Sequence, residues 1–367
     1  MPIKHIEEYK DLEISEKLLA NIKKNSKKNV RLMEVCGTHT VSIFRSGIRS
    51  MLPATIDLLS GPGCPVCVTT QQEIDKFIKT GRNDDVMLVT FGDMMRVPGT
   101  STSLQKERGE GRDIRVVYSI LDALKLAEEN PDKRIVFSGV GFETTAPTIA
   151  ASIISAYEKG LKNFFVYSFL KIIPPALDAL MYSQDIRIDG FILPGHVSVI
   201  IGTNAYASFF KKYRIPSVIA GFEPNDLLQA INILVEQIEK GCPELSNAYK
   251  RVVTFEGNRK ACEVMSRVFI KKDASWRGLG MIRDSGLEIR EAFRNYDAEK
   301  VFNICVHKSP ESKECACGDI LRGMKIPPEC PAYKKICTPI NPIGPCMVSS
   351  EGTCAAYYRY YDKTQVL

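Results

Sequence analysis

The sequence of 367 residues is long enough for two or three domains, and its 44% hydrophobic and 25% charged residues are ordinary for a globular protein. A net charge of +6, from 49 basic and 43 acidic residues scattered along the chain, does not indicate a nucleic-acid partner. Residues 1–10 lack the apolar run of a secretion signal, and no stretch approaches the ~18 apolar residues of a membrane span. We therefore expect a cytoplasmic protein, monomeric on its own, that binds neither nucleic acid nor membrane.

Short apolar runs alternate with amphipathic helical patterns along the first two thirds of the chain. The predicted strands are VRLMEV (30–35), IDLLS (56–60), VMLVTFG (86–92), RIVFSGV (134–140), NFFVYSF (163–169), GFILPG (190–195) and PSVIAG (216–221). Helical periodicity marks QQEIDKFIKTG, SILDALKLAEEN, APTIAASIISAYEKG and DLLQAINILVEQIEKG. This alternation predicts an α/β fold with parallel sheets.

The spacing of these strands predicts two sheets, one within about residues 30–115 and one across about residues 130–240. We therefore expect two parallel-sheet α/β domains, 1–115 and 116–240, that face a cleft. Residues 241–367 are expected to form a smaller domain of helices and loops, with a helical stretch around EGNRKACEVMSRVFIKK.

Polar or glycine-rich motifs follow several of the predicted strands. They are Cys36-Gly37-Thr38-His39, the Gly61 to Cys67 stretch, Gly92-Asp93, the GFETT motif that contains Glu143, and Pro194-Gly195-His196. Ligands bind outside the carboxyl ends of parallel strands, so these motifs predict one shared cleft. Cys36 precedes a predicted helix whose N-terminus would favour the thiolate, and His39 is close enough to act on it. His196, taken alone, is more typical of a structural histidine.

Twelve cysteines in a protein expected to be cytoplasmic indicate metal, redox or nucleophilic chemistry rather than structural disulfides. In GPGCPVC, proline and glycine stiffen the loop that carries Cys64 and Cys67, which is typical of a dithiol and disulfide couple. Half of a zinc site is the alternative. A second C-x-x-C pair, which such a site requires, does not occur, so the redox interpretation is favoured.

The final quarter of the chain is rich in cysteine, proline and glycine. Its cysteines are Cys305, Cys315, Cys317, Cys330, Cys337, Cys346 and Cys354. Thiolates in proline-stiffened loops are what an iron–sulfur cluster needs, because four soft ligands must converge without a large sheet to hold them. A structural zinc site is the alternative.

The motifs CGTHT, GPGCPVC, GFETTAP, LPGHVSVIIG and the terminal MVSSEGTCAAYY stand in the same order as in the HypD family of hydrogenase maturation proteins, which the chain resembles over nearly its whole length. The resemblance implies two α/β domains beside a cleft and a cluster-bearing third domain. It also implies a scaffold for assembly of the Fe(CN)2CO unit of nickel–iron hydrogenases. Such a scaffold would act with the small chaperone HypC and receive cyanide from HypE.

The same resemblance implies roles for individual residues. Cys36 corresponds to the thiolate that transiently holds iron with its cyanide and carbon monoxide ligands, and Cys64 and Cys67 correspond to a redox pair. The ligands of a [4Fe-4S] cluster correspond to Cys317, Cys330, Cys337 and Cys354, with Cys346 as the alternative to Cys354. The family often has a histidine where this chain has Thr40 or Val41, so a second histidine beside Cys36 is not expected.

A second hypothesis belongs to a different class of protein. The chain would be a stand-alone iron–sulfur and dithiol oxidoreductase, with a small substrate bound in a cleft near Glu143 and His196. A scaffold should co-purify with a small partner and with iron beyond the cluster, whereas an enzyme should turn over alone. The sequence assigns no role to Cys305 or Cys315.

Overall fold

The computed structural model describes residues 11–182, 187–306 and 313–361, so the first ten residues, in which we noted the missing secretion signal, lie outside it. All of the predicted strands are present. The described strands are β1 (Val30–Glu34), β2 (Ile56–Ser60), β3 (Val86–Thr90), β4 (Ile114–Val116), β5 (Arg134–Gly139), β6 (Phe164–Ser168), β7 (Gly190–Pro194), β8 (Ser217–Ala220), β9 (Leu245–Asn247), β10 (Phe269–Trp276) and β11 (Gly280–Ile289).

Helices connect and cover these strands. They are α1 (Leu12–Asn25), α2 (Gly37–Arg45), α3 (Ile48–Met51), α4 (Pro65–Val68), α5 (Gln71–Thr80), α6 (Leu104–Gly109), α7 (Ile120–Glu129), α8 (Ala146–Glu158), α9 (Ile173–Tyr182), α10 (Gly195–Ile201), α11 (Ala207–Tyr213), α12 (Pro224–Lys240), α13 (Arg259–Val268), α14 (Ala298–Phe302), α15 (Cys317–Leu321) and α16 (Thr353–Tyr360). The four helices predicted from periodicity are α5, α7, α8 and α12. Capping boxes at Thr70 and Ser119 set the first residues of α5 and α7.

Two parallel sheets form the α/β part of the chain. Sheet A has the strand order β2-β1-β7-β8-β9, and sheet B has the order β4-β3-β5-β6. Every neighbouring pair within them is parallel. The predicted fold class is therefore confirmed.

The sheet assignment predicted from the sequence is wrong in one respect. Sheet A combines strands from residues 30–60 with strands from residues 190–247, and all of sheet B lies between them in the chain. The chain leaves sheet A after β2, builds sheet B, and returns to pair β7 with β1. Strand spacing could not reveal this, because the pairing of β1 is decided by residues far along the sequence.

Successive side chains of each strand point to opposite faces of its sheet, and three apolar layers cover these faces. In β1, Leu32 packs on the same side as α1 and α12, whereas Met33 faces the layer shared with sheet B. In β3, Leu88 faces the shared layer and Val89 faces the outer layer beside α7 and α8. Because successive side chains alternate in this way, a continuous apolar run is typical of a strand buried on both faces. The shared layer also includes the buried tail cysteines, which joins the three parts of the chain.

The last third of the chain differs in part from the prediction. The helical stretch begins at Arg259 as α13 but ends at Val268, where β10 starts an antiparallel hairpin with β11. After the hairpin, short helices and loops carry the cysteines, including 3-10 turns at Pro327–Glu329 and Pro345–Met347. Among the described helices, none combines the length and apolar character needed to cross a bilayer.

Two glycines let the loops after β1 and β2 meet. A β-carbon on Gly63 would lie 2.1 Å from the backbone nitrogen of Cys36, which leaves no room for a side chain. The N–H of Gly37 donates to the carbonyl of Gly63 at 3.0 Å. On its other side, a β-carbon on Gly37 would lie 2.6 Å from the carbonyl oxygen of Glu351 in the cysteine-rich tail. These contacts hold three segments together around Cys36.

We expect Gly63→Ala to lower the free energy of unfolding by about 2–4 kcal/mol, because its methyl group would overlap backbone rather than a movable side chain. Gly109→Ala is the matched control, since a β-carbon there meets nothing within 4 Å, and it should stay within about 0.5 kcal/mol of the parent protein. Chemical denaturation measures both. Equal unfolding curves for the two variants would contradict the packing of Gly63 against Cys36.

Candidate functional site

Cys36 lies where β1 ends and α2 begins. It is the N-cap residue of α2 and has extended backbone angles (φ −151°, ψ 119°). The buried carboxyl group of Glu34 accepts hydrogen bonds from the backbone N–H of Cys36, at 3.0 Å to Oε2, and from the hydroxyl of Thr40. Glu34 therefore fixes the turn that carries Cys36.

Burial controls the ionisation of this turn. Loss of hydration raises the pKa of the Cys36 thiol to about 12, although the N–H groups of His39 and Thr38 lower it in part. Burial likewise raises the pKa of Glu34 to about 8. We expected the helix N-terminus to favour the Cys36 thiolate. That expectation is wrong for the thiol by itself, because its desolvation outweighs the helix N–H groups.

Cys64 and Cys67 form a close thiol pair beside this turn. Their sulfurs lie 2.7 Å apart, and the N–H of Cys67 donates to the sulfur of Cys64 at 3.3 Å. Cys64 is the N-cap residue of α4, and Pro65 occupies the first helical position. Both thiols are buried and free. The pair can form a disulfide with little backbone movement, as the sequence predicts for a redox couple.

A series of sulfur contacts connects this pair to the tail. Cys67 hydrogen-bonds with Cys346, whose sulfur lies 3.0 Å from that of Cys317, and Cys317 in turn contacts Cys315. Burial raises the pKa of Cys67 well above its ordinary value. In contrast, hydrogen bonds from Cys317 and Cys67 lower the pKa of Cys346. The thiolate is therefore favoured more at Cys346 than at Cys67, Cys315 or Cys317.

Six tail cysteines surround one enclosed space. They are Cys315, Cys317, Cys330, Cys337, Cys346 and Cys354. The N–H groups of Ala316 and Ile343 donate to the sulfurs of Cys330 and Cys337 at 3.4 and 3.3 Å. Within the described residues, no group of three or more Cys, His, Asp or Glu side chains is arranged around a single metal ion.

The donor set nevertheless fits a four-iron cluster. Each cysteine of such a cluster binds a different iron, so its ligands surround a volume instead of converging on one point. The sulfurs are soft, most are buried, and two receive N–H hydrogen bonds of the kind that tune iron–sulfur centres. The alternative of zinc is less well matched, because a structural zinc site converges four ligands on a single ion.

The two histidines of the predicted site flank one aromatic ring. The imidazole of His196 stacks on Phe222 with 3.8 Å between ring centroids. The ring of His39 is tilted against Phe222, with 4.8 Å between their centroids. His39 is fully buried, and a ring nitrogen lies 3.3 Å from the carbonyl of Ala220. Burial lowers the pKa of His39 to about 4, which keeps the ring neutral at physiological pH.

Comparisons with known proteins identify the family of the chain. Residues 13–361 match the family HypD, described as "Hydrogenase formation hypA family". The chain belongs to the HypD family. It is 46% identical to the hydrogenase maturation factor HypD of Azotobacter vinelandii, over the whole chain and 99% of that relative. Identity is 43% to a putative hydrogenase expression/formation protein of Methanocaldococcus jannaschii, over 95% of the chain and 98% of the relative. Identity is 42% to the hydrogenase maturation factor HypD of Cupriavidus necator, over 98% of the chain and 97% of the relative.

In this member of the HypD family, His196 is not among the described residues that line the cavity of Glu143. Glu143 lines a large cavity of about 950 Å³ between α9, α11 and the hairpin, together with Phe209, Met265 and Lys271. Its Oε1 accepts the N–H of Ile173 at 2.9 Å, and its Oε2 has no hydrogen-bond partner among the described residues. The substrate cleft near Glu143 and His196 of our second hypothesis therefore stays a prediction.

A smaller cavity of about 440 Å³ corresponds better to the predicted cleft. It lies at the carboxyl edge of sheet B and is lined by Val66 of the dithiol loop, Asp93, Thr145 and Glu351. Glu351 accepts a hydrogen bond from the hydroxyl of Thr38 at 2.6 Å, which links this cavity to the Cys36 turn. The motifs from both sheets and the tail therefore meet here.

Sequence reasoning missed two residues that shape the site, Glu34 and Glu351, which contact the Cys36 turn. It considered Cys346 only as a cluster ligand and missed its contact with Cys67 of the dithiol. A carboxylate near the end of the strand VRLMEV, two residues before Cys36, was the signal for Glu34. For Glu351 the signal was its place in the SSEG turn between two cysteines.

We expect Glu143 to make stability depend on pH. Burial raises the pKa of Glu143 from 4.5 to about 7 in the folded protein. The stability that the protonated carboxyl group contributes is therefore fully present below the pKa of the unfolded chain and is lost as pH rises through about 7. Glu143→Gln should therefore gain stability relative to the parent between pH 5 and pH 8, by the order of 2 kcal/mol. Denaturation at both pH values measures this, with the exposed Glu158→Gln as control. A pH dependence unchanged in Glu143→Gln would refute the assignment.

Proposed function

We propose that this chain is the scaffold on which the Fe(CN)2CO unit of nickel–iron hydrogenases is assembled, acting with a HypC-type chaperone and a HypE-type cyanide donor. Family membership assigns it to hydrogenase formation. The observation that carries the finer proposal is the uninterrupted series of sulfur contacts from Cys64 and Cys67 through Cys346 and Cys317 to the tail cavity, beside the turn of Cys36. A scaffold without redox chemistry would not need such a series.

Cys36 is the proposed anchor for the iron that is the substrate of assembly. Its thiol stays protonated by itself because burial raises its pKa, so iron binding must release that proton. Glu34 holds the turn through the N–H of Cys36, and the N–H of His39 donates toward the sulfur. A thiolate is the soft ligand that low-spin iron favours. A second thiolate would come from the chaperone, leaving positions for two cyanides and one carbon monoxide.

The sulfur series is arranged for thiol–disulfide exchange. When Cys64 and Cys67 are joined, the thiolate of Cys346 can attack the sulfur of Cys67 and release Cys64 as a thiolate. Attack by Cys317 on Cys346 then forms a Cys317–Cys346 disulfide and releases Cys67. Two electrons thereby pass to the Cys64–Cys67 pair, and the two thiolates take up the protons that Cys346 and Cys317 lose.

The cluster would be held by four of the six tail cysteines and would supply single electrons at the end of this series. The sequence-derived ligand set is Cys317, Cys330, Cys337 and Cys354. The contact of Cys317 with Cys346 favours a second set, in which Cys315 replaces Cys317 and leaves Cys317 free for exchange. Cys317 and Cys315 both act electrostatically on Cys354, and Cys315 also acts on Cys337, so both lie near other members of the set.

The large cavity that contains Glu143 keeps the second candidate function open. A buried carboxyl group at an apolar cavity of about 950 Å³ is typical of a small-molecule site, as a stand-alone oxidoreductase would require. Purified chain that turns over a small substrate without a partner would favour this function. Iron beyond the cluster, retained only with a small co-purified chaperone, would favour the scaffold.

The two ligand sets give opposite expectations for two variants. Anaerobic parent protein should contain about four iron and four sulfide per chain. We expect Cys315→Ala and Cys354→Ala to lose most of both, and Cys317→Ala and Cys346→Ala to retain them. The exposed Cys242→Ala is the matched control. Cluster loss in Cys317→Ala with retention in Cys315→Ala would restore the sequence-derived set, and stoichiometric zinc without sulfide would exclude a cluster.

Cys36→Ser tests the scaffold directly. The hydroxyl keeps the size of the side chain but is a hard, mostly protonated ligand, so the extra iron should be lost while fold and cluster survive. Infrared spectra of the complex with its chaperone should lack the cyanide and carbon monoxide stretches present in the parent complex. If the Cys36→Ser complex keeps these bands and still supports hydrogenase maturation in cells, Cys36 is not the anchor.

A further inference from the structure

Lys171, in the segment between β6 and α9, is an almost completely buried lysine. It is 1% exposed, and its Nζ donates to Oε1 of Glu73 in α5 at 2.6 Å. Lysine is rarely buried to this extent unless it is paired, because its ammonium group loses its hydration. The ion pair therefore connects the segment after β6 to the helix that follows the dithiol loop.

Glu73 uses its second carboxylate oxygen to hold the end of the dithiol loop. Its Oε2 accepts the N–H of Thr70 at 2.8 Å and the hydroxyl of Thr70 at 3.0 Å. Thr70 stands three residues after Cys67. The N–H and the hydroxyl of Thr69 both donate back to the carbonyl of Pro65, at 3.2 and 2.9 Å. The loop is thus closed on itself and then fixed, through the carboxylate, to the buried lysine.

The backbone of Lys171 is itself fixed on two sides. Its N–H donates to the carbonyl of Gly141, in the turn after β5, at 3.0 Å. It also forms an antiparallel bridge with Gly286 of β11, and the N–H of Ile172 donates to the carbonyl of Ser285 at 2.9 Å. Main chain from sheet B and from the hairpin therefore sets the place of the ammonium group, so the dithiol loop is attached to a stiff support.

We propose that Lys171 positions the thiols of the Cys64–Cys67 couple. Through Glu73 its ammonium group fixes the segment that follows Cys67, and this keeps the two sulfurs prearranged for disulfide formation. The inference rests on the proposed function, in which this pair cycles between dithiol and disulfide. Lys171 acts through Glu73 and is therefore a positioning residue rather than a member of the couple.

Prearrangement favours the disulfide over the dithiol. With glutathione disulfide as the oxidant, Cys64 and Cys67 become joined, and their two electrons and two protons pass to two molecules of glutathione. A flexible loop loses conformational freedom when the disulfide closes, whereas a loop that is already fixed loses little. Removal of the ion pair should therefore shift the equilibrium toward the dithiol and make the reduction potential less negative.

The test measures this equilibrium in the purified full-length chain across glutathione redox buffers, with differential alkylation read at each cysteine by mass spectrometry. In the buffer that leaves the parent half oxidised, Lys171→Met should raise the ratio of dithiol to disulfide at Cys64 and Cys67 about tenfold, equivalent to about 30 mV for a two-electron couple. Lys79→Met is the matched control, because Lys79 is an exposed lysine of the same helix α5, and its ratio should equal that of the parent.

An unchanged ratio in folded Lys171→Met, or a shift toward the disulfide, overturns the proposal, because a lysine that only stabilises the fold would lower the unfolding temperature and leave the ratio unaltered. If Lys171→Met does not fold, the double variant Lys171→Met/Glu73→Gln replaces it with the same expected shift, since it leaves no unpaired buried charge. A parent whose Cys64 and Cys67 do not cycle overturns the redox couple of the proposed function as well. A parent that cycles with the same ratio as its variants overturns only the role of Lys171.

Discussion

Close backbone approach at glycines is the constraint on which the thiol site depends. Gly63 lies against the backbone of Cys36, Gly37 lies against Glu351, and Gly278 lies against Gly318. Each contact joins segments that are distant in sequence, and none leaves space for a β-carbon. The relative positions of the thiols are therefore set by main chain, which is stiffer than any side-chain contact between the same segments. Precise placement would matter for the proposed thiol exchange, which requires sulfurs in contact.

Desolvation gives these thiols their common chemical character. Cys36, Cys67 and Cys354 all have a pKa raised by burial, so each carries its proton until a metal or another sulfur replaces it. Cys346 is the exception, because neighbouring thiols donate hydrogen bonds to it. A site of this kind resists random oxidation and directs its reactivity to one sulfur. Loading with metal should correspondingly release protons and weaken at low pH.

Much of the fold could be predicted from local pattern, because apolar strands buried on both faces are continuous runs and the long helices have clear periodicity and caps. The hairpin escaped prediction because FIKKDASW mixes charged and apolar residues on an exposed strand. The pairing of β1 with β7 escaped because no local signal encodes a distant partner. Among the site residues, the motif cysteines were identifiable from spacing. Contacts such as those of Cys346 with Cys67 arise only from tertiary packing, which spacing does not report.

The interleaving of the two sheets has a consequence for how the chain acquires its structure. The centre of sheet A pairs residues near Leu32 with residues near Gly190, so it cannot close until the whole of sheet B has been synthesised. Such non-local pairing has a high contact order and forms slowly. During synthesis, β1 and β2 emerge first, and their apolar faces stay exposed while sheet B forms. The turn that carries Cys36, directly after β1, is therefore completed late, after the ribosome has already produced its distant partner strand.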